Sequence, residues 1–286
     1  MRYKGFYINL DRSEDRRQRM EAELARTGLK EAYTRFPASD GNTMNFPRSH
    51  LKESEMGCFT SHYRVLLENR NSPFPLHIIE DHAVLSRALP KVLNSALEGE
   101  EFIKFDIVYT DLALSLDNLS LIEFKRRFDE NVKKDKTGAI ESFIFSLIDL
   151  QKILYFSTNS YVVNPHAIEK VLAIYEYELK GGARMPIDYL LMSACRDGLL
   201  KSGTLFPFVT SIAPDDSFES TIHDKHDLKT IYANYLLRHS FFVEGDPGKC
   251  LKEAARLLPQ PDANDEHNQF MLRLLGFLLT PEFGKS

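Results

Sequence analysis

Tryptophan is absent from the 286 residues, and cysteine occurs three times, at Cys58, Cys195 and Cys250. The missing tryptophan excludes nothing. The cysteines lie far apart and form no CxxC pair and no zinc pattern, which reads as reduced, buried thiols of a cytosolic chain. No stretch reaches the roughly 18–20 uninterrupted apolar residues of a membrane span. The longest apolar runs, FMLRLLGFLL and SFIFSLIDL, are short or interrupted. Peripheral association with a membrane surface stays open. MRYKGFYINL has no long apolar stretch of the kind a secretory signal needs, so a cytoplasmic location is expected. A basic field is missing too. The net charge is −5 with both signs interspersed, which argues against nucleic acid as a partner.

What is present is the composition of a globular protein, long enough for one large domain or one domain with an appendage. KGFYINL (4–10) reads as a strand. SEDRRQRMEAELARTGL (13–29) reads as a helix, with Ser13 as its cap, Met20, Leu24 and Ala25 as its apolar stripe, and Gly28 as its end. YTRFPASDG (33–41) is a strand running into a turn, and EMGCFTSHYRVLLENRN (55–71) a second helix. FPLHIIEDHAVLS is a strand whose continuous apolar run suits a sheet covered on both faces. FDIVYTDLAL (105–114) repeats that type. The order β–α–β–α–β predicts an α/β fold with a mostly parallel sheet. Ligands then gather at the carboxyl ends of the strands, where Glu80, Asp81, His82, Thr110 and Asp111 fall.

Residues 115–152 are lysine-rich and read as a mobile insertion with some helix. Strand, turn and helix follow over 154–179, a short helix over 186–198, and a last strand over 202–212. Beyond residue 225 three helices are expected, which divides the chain into 1–224 and a helical extension 225–286. GDPGKCLKEAARLLP looks like half a tetratricopeptide unit, and one unit makes no array. The apolar helix 268–279 could dock on the main domain or on a second copy, giving a homodimer.

Four ordered pieces, YINLDRSEDRRQRM, RFPASDG, EMGCFTSHYRVL and HIIEDHAVL, together resemble glycosyltransferase family 25. STNSYVVNPHAIEKVL and PIDYLLMSA fit more loosely, so the resemblance spans roughly residues 3–222. It implies a GT-A-like, Rossmann-like nucleotide-sugar fold. It also implies an inverting transfer of a hexose, galactose, from UDP-sugar to a saccharide acceptor of lipopolysaccharide or lipooligosaccharide. Asn9, Leu10 and Arg12 would then lie near the donor nucleotide, with Arg16 at the diphosphate. Ala38 and Asp40 would lie near base or ribose, and Ser61 and His62 would line the site.

A sugar diphosphate needs a divalent cation, Mn²⁺ or Mg²⁺, held by a hard carboxylate. The family's pattern here is Glu-Asp-Asp, whereas this chain has Glu80-Asp81-His82. Asp81 is the expected metal anchor, with Glu80 and His82 assisting. His223, Asp224 or His226 would complete the shell, against the plainer reading of a polar linker. Asp188 is the expected base or acceptor contact, and Asp111 the donor-sugar contact. Two alternatives remain. One is a transferase acting on a protein. The other is a metal-deficient member that binds a saccharide or a protein.

Overall fold

The chain opens with β1 (Lys4–Asn9), α1 (Glu14–Arg26) and β2 (Tyr33–Pro37) in the computed structural model. The structure describes residues 2–44, 49–115, 118–134, 136, 140–213, 228–246 and 276. Next come α2 (Glu53–Glu68), β3 (Leu76–Glu80), β4 (Ala83–Leu85), α3 (Leu89–Ala96), β5 (Ile107–Tyr109) and β6 (Ala113–Leu114). The lysine-rich stretch holds α4 (Asn118–Asn131), β7 (Val132–Lys134), β8 (Ile140–Phe143) and β9 (Ser146–Asp149). β10 (Tyr155–Phe156), β11 (Ser160–Val163), α5 (Ile168–Lys180), α6 (Ile187–Arg196), β12 (Ser202–Phe206), β13 (Thr210–Ile212) and α7 (Leu228–Phe241) complete it.

Seven strands form the central sheet, in the order β2-β1-β3-β11-β5-β12-β9. β2, β1, β3, β5 and β12 run one way, and β11 and β9 run against them. The sheet is therefore mixed, although five of its strands share one direction. Their carboxyl ends lie along one edge, and the amino end of β11 joins them there.

Side chains alternate along each strand with a period of two, and each set meets its own helices. Ile8, Ile78, Ile107, Tyr109, Tyr161 and Val163 pack with α2, α4, α5, α6 and α7. Tyr7, Ile79, Val108 and Val162 pack with α1 and α3. Helices thus cover both faces, as the uninterrupted apolar run of β3 requires.

Several expectations change. The strand expected over 105–114 is two, β5 and β6, and that over 202–212 is two, β12 and β13, with β6 and β13 outside the main sheet. The stretch 74–86 is not one strand. β3 ends at Glu80, Asp81 and His82 make a turn, and β4 leaves to pair antiparallel with β13. Two side chains of α1 satisfy β4 from its other side: Leu85 N–H donates to Glu23 Oε1 at 2.8 Å, and Arg26 Nη2 donates to Leu85 O at 2.5 Å. Residues 115–152 are not a mere insertion, because β9 is an edge strand of the main sheet with Ile148 buried. The first of the three expected C-terminal helices, α7, is built into the main core. Phe241 lies among Phe124, Phe128, Phe206 and Phe208. The boundary expected at 224/225 and the other two helices fall outside the described residues, Gly276 apart.

Candidate functional site

β1 and β3 are adjacent and parallel, with Ile8 opposite Glu80, so the residues just after them are neighbours. Asn9 is 1% exposed, and its Nδ2 donates to Asp81 Oδ2 at 2.7 Å and to Ser13 O at 3.1 Å. Arg35 on β2 fixes the other end of that amide, donating from Nε to Asn9 Oδ1 at 3.0 Å. Arg16, in the first turn of α1, places Nη1 3.5 Å from Asp81 Oδ1. Asn9, Arg16 and Asp81 therefore form one knot at the strand ends. Burial pushes the Asp81 carboxyl up, and the hydrogen bond from Asn9 and the charges of His82 and Arg16 offset only part of that.

Glu80 faces two ways. Oε1 accepts from the Thr158 hydroxyl at 2.8 Å and lies 3.4 Å from His62 Nε2. Oε2 lies 3.8 Å from His82 Nδ1, which is 4.0 Å from Asp81 Oδ1. Burial works against ionising Glu80. The hydrogen bond from His62, the imidazoles of His82 and His62 and the Thr158 hydroxyl outweigh it, bringing Glu80 down to about 2.

The other expected residues make contacts of their own. His62 is buried with Nδ1 2.8 Å from Tyr161 OH. Ser61 is a tie in the backbone: its hydroxyl donates to Gly57 O at 2.6 Å and accepts from Ser39 N–H at 2.8 Å. Asp40 caps the turn over 41–43, accepting from Asn42 N–H at 3.1 Å, and pairs with Arg12. Ala38 N–H donates to Asn9 O at 3.0 Å, and Leu10 O accepts from Ser13 N–H at 3.0 Å, so both hold the loops at the sheet edge. Asp188 lies half-buried in the first turn of α6. Burial raises its carboxyl, against the backbone N–H groups of Tyr189 and Ser157, and Glu80's charge adds to the rise. His223 lies outside the described residues, as do Asp224 and His226.

Asp111 is fully enclosed. Its Oδ2 accepts from Asn159 Nδ2 at 2.8 Å and lies 3.2 Å from Arg238 Nη2. Burial raises this carboxyl, with Arg238 and Asn159 acting against it. Arg238 also donates to the Ser157 hydroxyl. Ser157 has φ 105°, a left-handed conformation that costs a non-glycine residue about 1–3 kcal/mol and needs such partners to hold it. Thr158, Asn159 and Arg238 were missed by sequence reasoning. A charge inside the apolar run LLRHSFF was the available signal for Arg238.

A mixed α/β sheet with acids, amides and arginines gathered at the carboxyl ends of its strands is the framework of a ligand-binding enzyme. The sequence profile of glycosyltransferase family 25, described as an LPS biosynthesis protein, matches residues 3–191. The chain belongs to that family and is a glycosyltransferase of the lipopolysaccharide-biosynthesis type. A search of the curated proteins finds no match.

Proposed function

We propose that the protein is a GT-A-like transferase that moves a hexose, galactose, from a UDP-sugar to a saccharide acceptor with inversion. The observation that carries this reading is the Asn9–Arg16–Asp81 knot, which puts an arginine and a carboxylate side by side where α/β sheets take ligands. Arg16 offers the diphosphate a charge-assisted hydrogen bond. Glu80 Oε2 and Asp81 Oδ1 lie 3.8 and 4.0 Å from His82 Nδ1, and these two carboxylates and one imidazole would have to draw together to hold Mn²⁺ or Mg²⁺, with Asp81 as the anchor. That cation would neutralise the charge developing on the departing diphosphate.

Asp188 is the base in this reading. Its raised carboxyl is better matched to taking a proton from the acceptor hydroxyl near neutral pH. The acceptor oxygen attacks the anomeric carbon, its proton passes to Asp188, and UDP leaves from the opposite face. Asp111 acts through Asn159 and Arg238, holding the strained Ser157 loop against the site, and does not touch the reacting atoms.

The test is a thermal shift with UDP, with and without Mn²⁺. A ligand that binds only the folded protein, at 100 times its Kd, adds about 2.7 kcal/mol. We expect a UDP shift that grows with Mn²⁺ and an Asp81→Asn variant that folds normally but loses the metal-dependent part. A variant with an unchanged metal-dependent shift removes Asp81 from the site. No shift with any nucleotide sinks the UDP-sugar reading of this site.

A further inference from the structure

No zinc pattern is visible in the sequence, yet the fold assembles one. Cys58 and His62 are one helical turn apart on α2 and share a face. Glu80, ending β3, meets that face. The Cys58 sulfur, a His62 ring nitrogen and a Glu80 carboxylate oxygen all lie within 4.8 Å of one another. His62 Nε2 and Glu80 Oε1 are 3.4 Å apart. Two ligands on a tetrahedral zinc, with bonds of about 2.0–2.1 Å, are separated by about 3.3 Å. The imidazole and carboxylate already stand at ligand spacing, and the thiol needs only a short inward movement.

Cys58 packs against the edge of the main core, and the other two side chains have orienting partners. Tyr161 OH, 2.8 Å from His62 Nδ1, fixes the ring and leaves Nε2 facing Glu80. The Thr158 hydroxyl orients Glu80 through its 2.8 Å hydrogen bond. Partners of this kind orient ligating side chains and tune their basicity. Burial raises the Cys58 thiol, and the negative charges of Glu80 and Asp188 raise it further. The site is thus rich in negative charge and has a protonated thiol, which a thiophilic cation converts to a thiolate ligand.

We propose that Cys58, His62 and Glu80 bind one divalent cation of the zinc class, with a fourth position open to water or to a ligand. On binding, the sulfur–hydrogen bond breaks, the sulfur–metal bond forms and that proton leaves to solvent; His62 carries its ring proton on Nδ1, toward Tyr161 OH, so that the Nε2 lone pair meets the cation, and no oxidation state changes. The bound cation pins α2 to the end of β3. The inference shares Glu80 with the transferase reading, but its test reads cobalt and thiolate rather than nucleotide or activity, so either can fail without the other.

Cobalt(II) is the probe. Full-length protein stripped by a chelator is titrated with Co²⁺, and the near-ultraviolet thiolate-to-cobalt band is followed with the visible bands of tetrahedral cobalt. One equivalent is expected, displaced by Zn²⁺. Cys58→Ser should abolish the thiolate band and Cys250→Ser should keep it. Glu80→Gln should weaken binding at least about tenfold, and Tyr161→Phe about 10–100-fold, the usual cost of losing an orienting partner. Circular dichroism reports whether each variant folds. If Cys58→Ser does not, alkylation of the wild-type protein takes its place: Zn²⁺ should protect Cys58, identified by peptide mapping. A folded wild type with no thiolate band, a band that survives Cys58→Ser, or equal alkylation with and without Zn²⁺ overturns the proposal.

Discussion

Arg238 and Asp111 show what a single buried charge does here. Their side chains are 8% and 0% exposed, and Asn159 completes the pair. Arg238→Ala leaves a carboxylate enclosed without its cation, a change that costs about 3–5 kcal/mol. Urea unfolding should find that loss, and a cost below 1 kcal/mol would show that the pair is not structural. Asp188 gives the second test at this scale. Asp188→Asn should lower kcat about 10²–10⁴-fold. In the wild type, kcat/KM should fall on the acid side with a midpoint above the ordinary aspartate value of 3.8, because burial raises this carboxyl. An acid limb that persists in the variant would assign the base elsewhere. Glu80, Asp81 and Asp111 were legible in the sequence because they stand at the ends of apolar strand runs, and Asn9 through the family resemblance of YINLDRSEDRRQRM. Asn159 and Arg238 were not, because their roles depend on pairings across 48 and 127 residues of chain.

At the scale of elements, the decisive contact is between α2 and the loop after β2. A Cβ on Gly57 would lie 2.8 Å from Ser39 O and 2.9 Å from Gly41 N, both backbone atoms. A Cβ on Gly41 would lie 1.6 Å from Glu53 O. Helix and loop therefore touch backbone to backbone, which positions Asp40 beside Arg12 and Ser61 beneath Ser39. Gly57→Ala should cost about 1–3 kcal/mol, as overpacking does, with a lower Tm. An unchanged Tm would mean that the loop yields freely. Most elements were readable from period and punctuation: β1, α1, β2, α2, β11, α5 and α6 fall close to their expected limits. α1 ends as expected, with Gly28 at φ 71°, while Ser13 makes no side-chain cap and Ala25 is exposed. The break between β3 and β4 was hidden because both halves are apolar, and only the pairing of β4 with β13 separates them. β9 was hidden because its partner, β12, lies 50 residues and more downstream.

For the molecule as a whole, acid stability turns on a histidine away from the site. His77 on β3 is fully buried, with Nδ1 2.5 Å from Tyr33 OH and Nε2 3.0 Å from Ser160 Oγ. Burial brings it down from 6.5 to about 3. Between those values the unfolded chain holds the extra proton. The stability this contributes is present above about pH 6.5 and is lost as pH falls toward 3. His77→Gln should flatten the dependence of unfolding free energy on pH between 7 and about 4.5, measured by urea denaturation. An equal slope in variant and wild type would place the acid sensitivity elsewhere. No helix among the described residues is long and apolar enough to cross a membrane. The family match stops at residue 191, yet β12, β13 and α7 all lie beyond it and close the core around Asp111.

Glu80 has one carboxylate between two imidazoles, His62 at one oxygen and His82 at the other. That makes it a point of thermodynamic exchange. Anything that draws the carboxylate toward His62 changes what is held beside His82. Reciprocity requires the second occupant to alter the affinity for the first by the same factor. Soft and hard cations in the surrounding solution would then act on this protein as rivals for a single side chain.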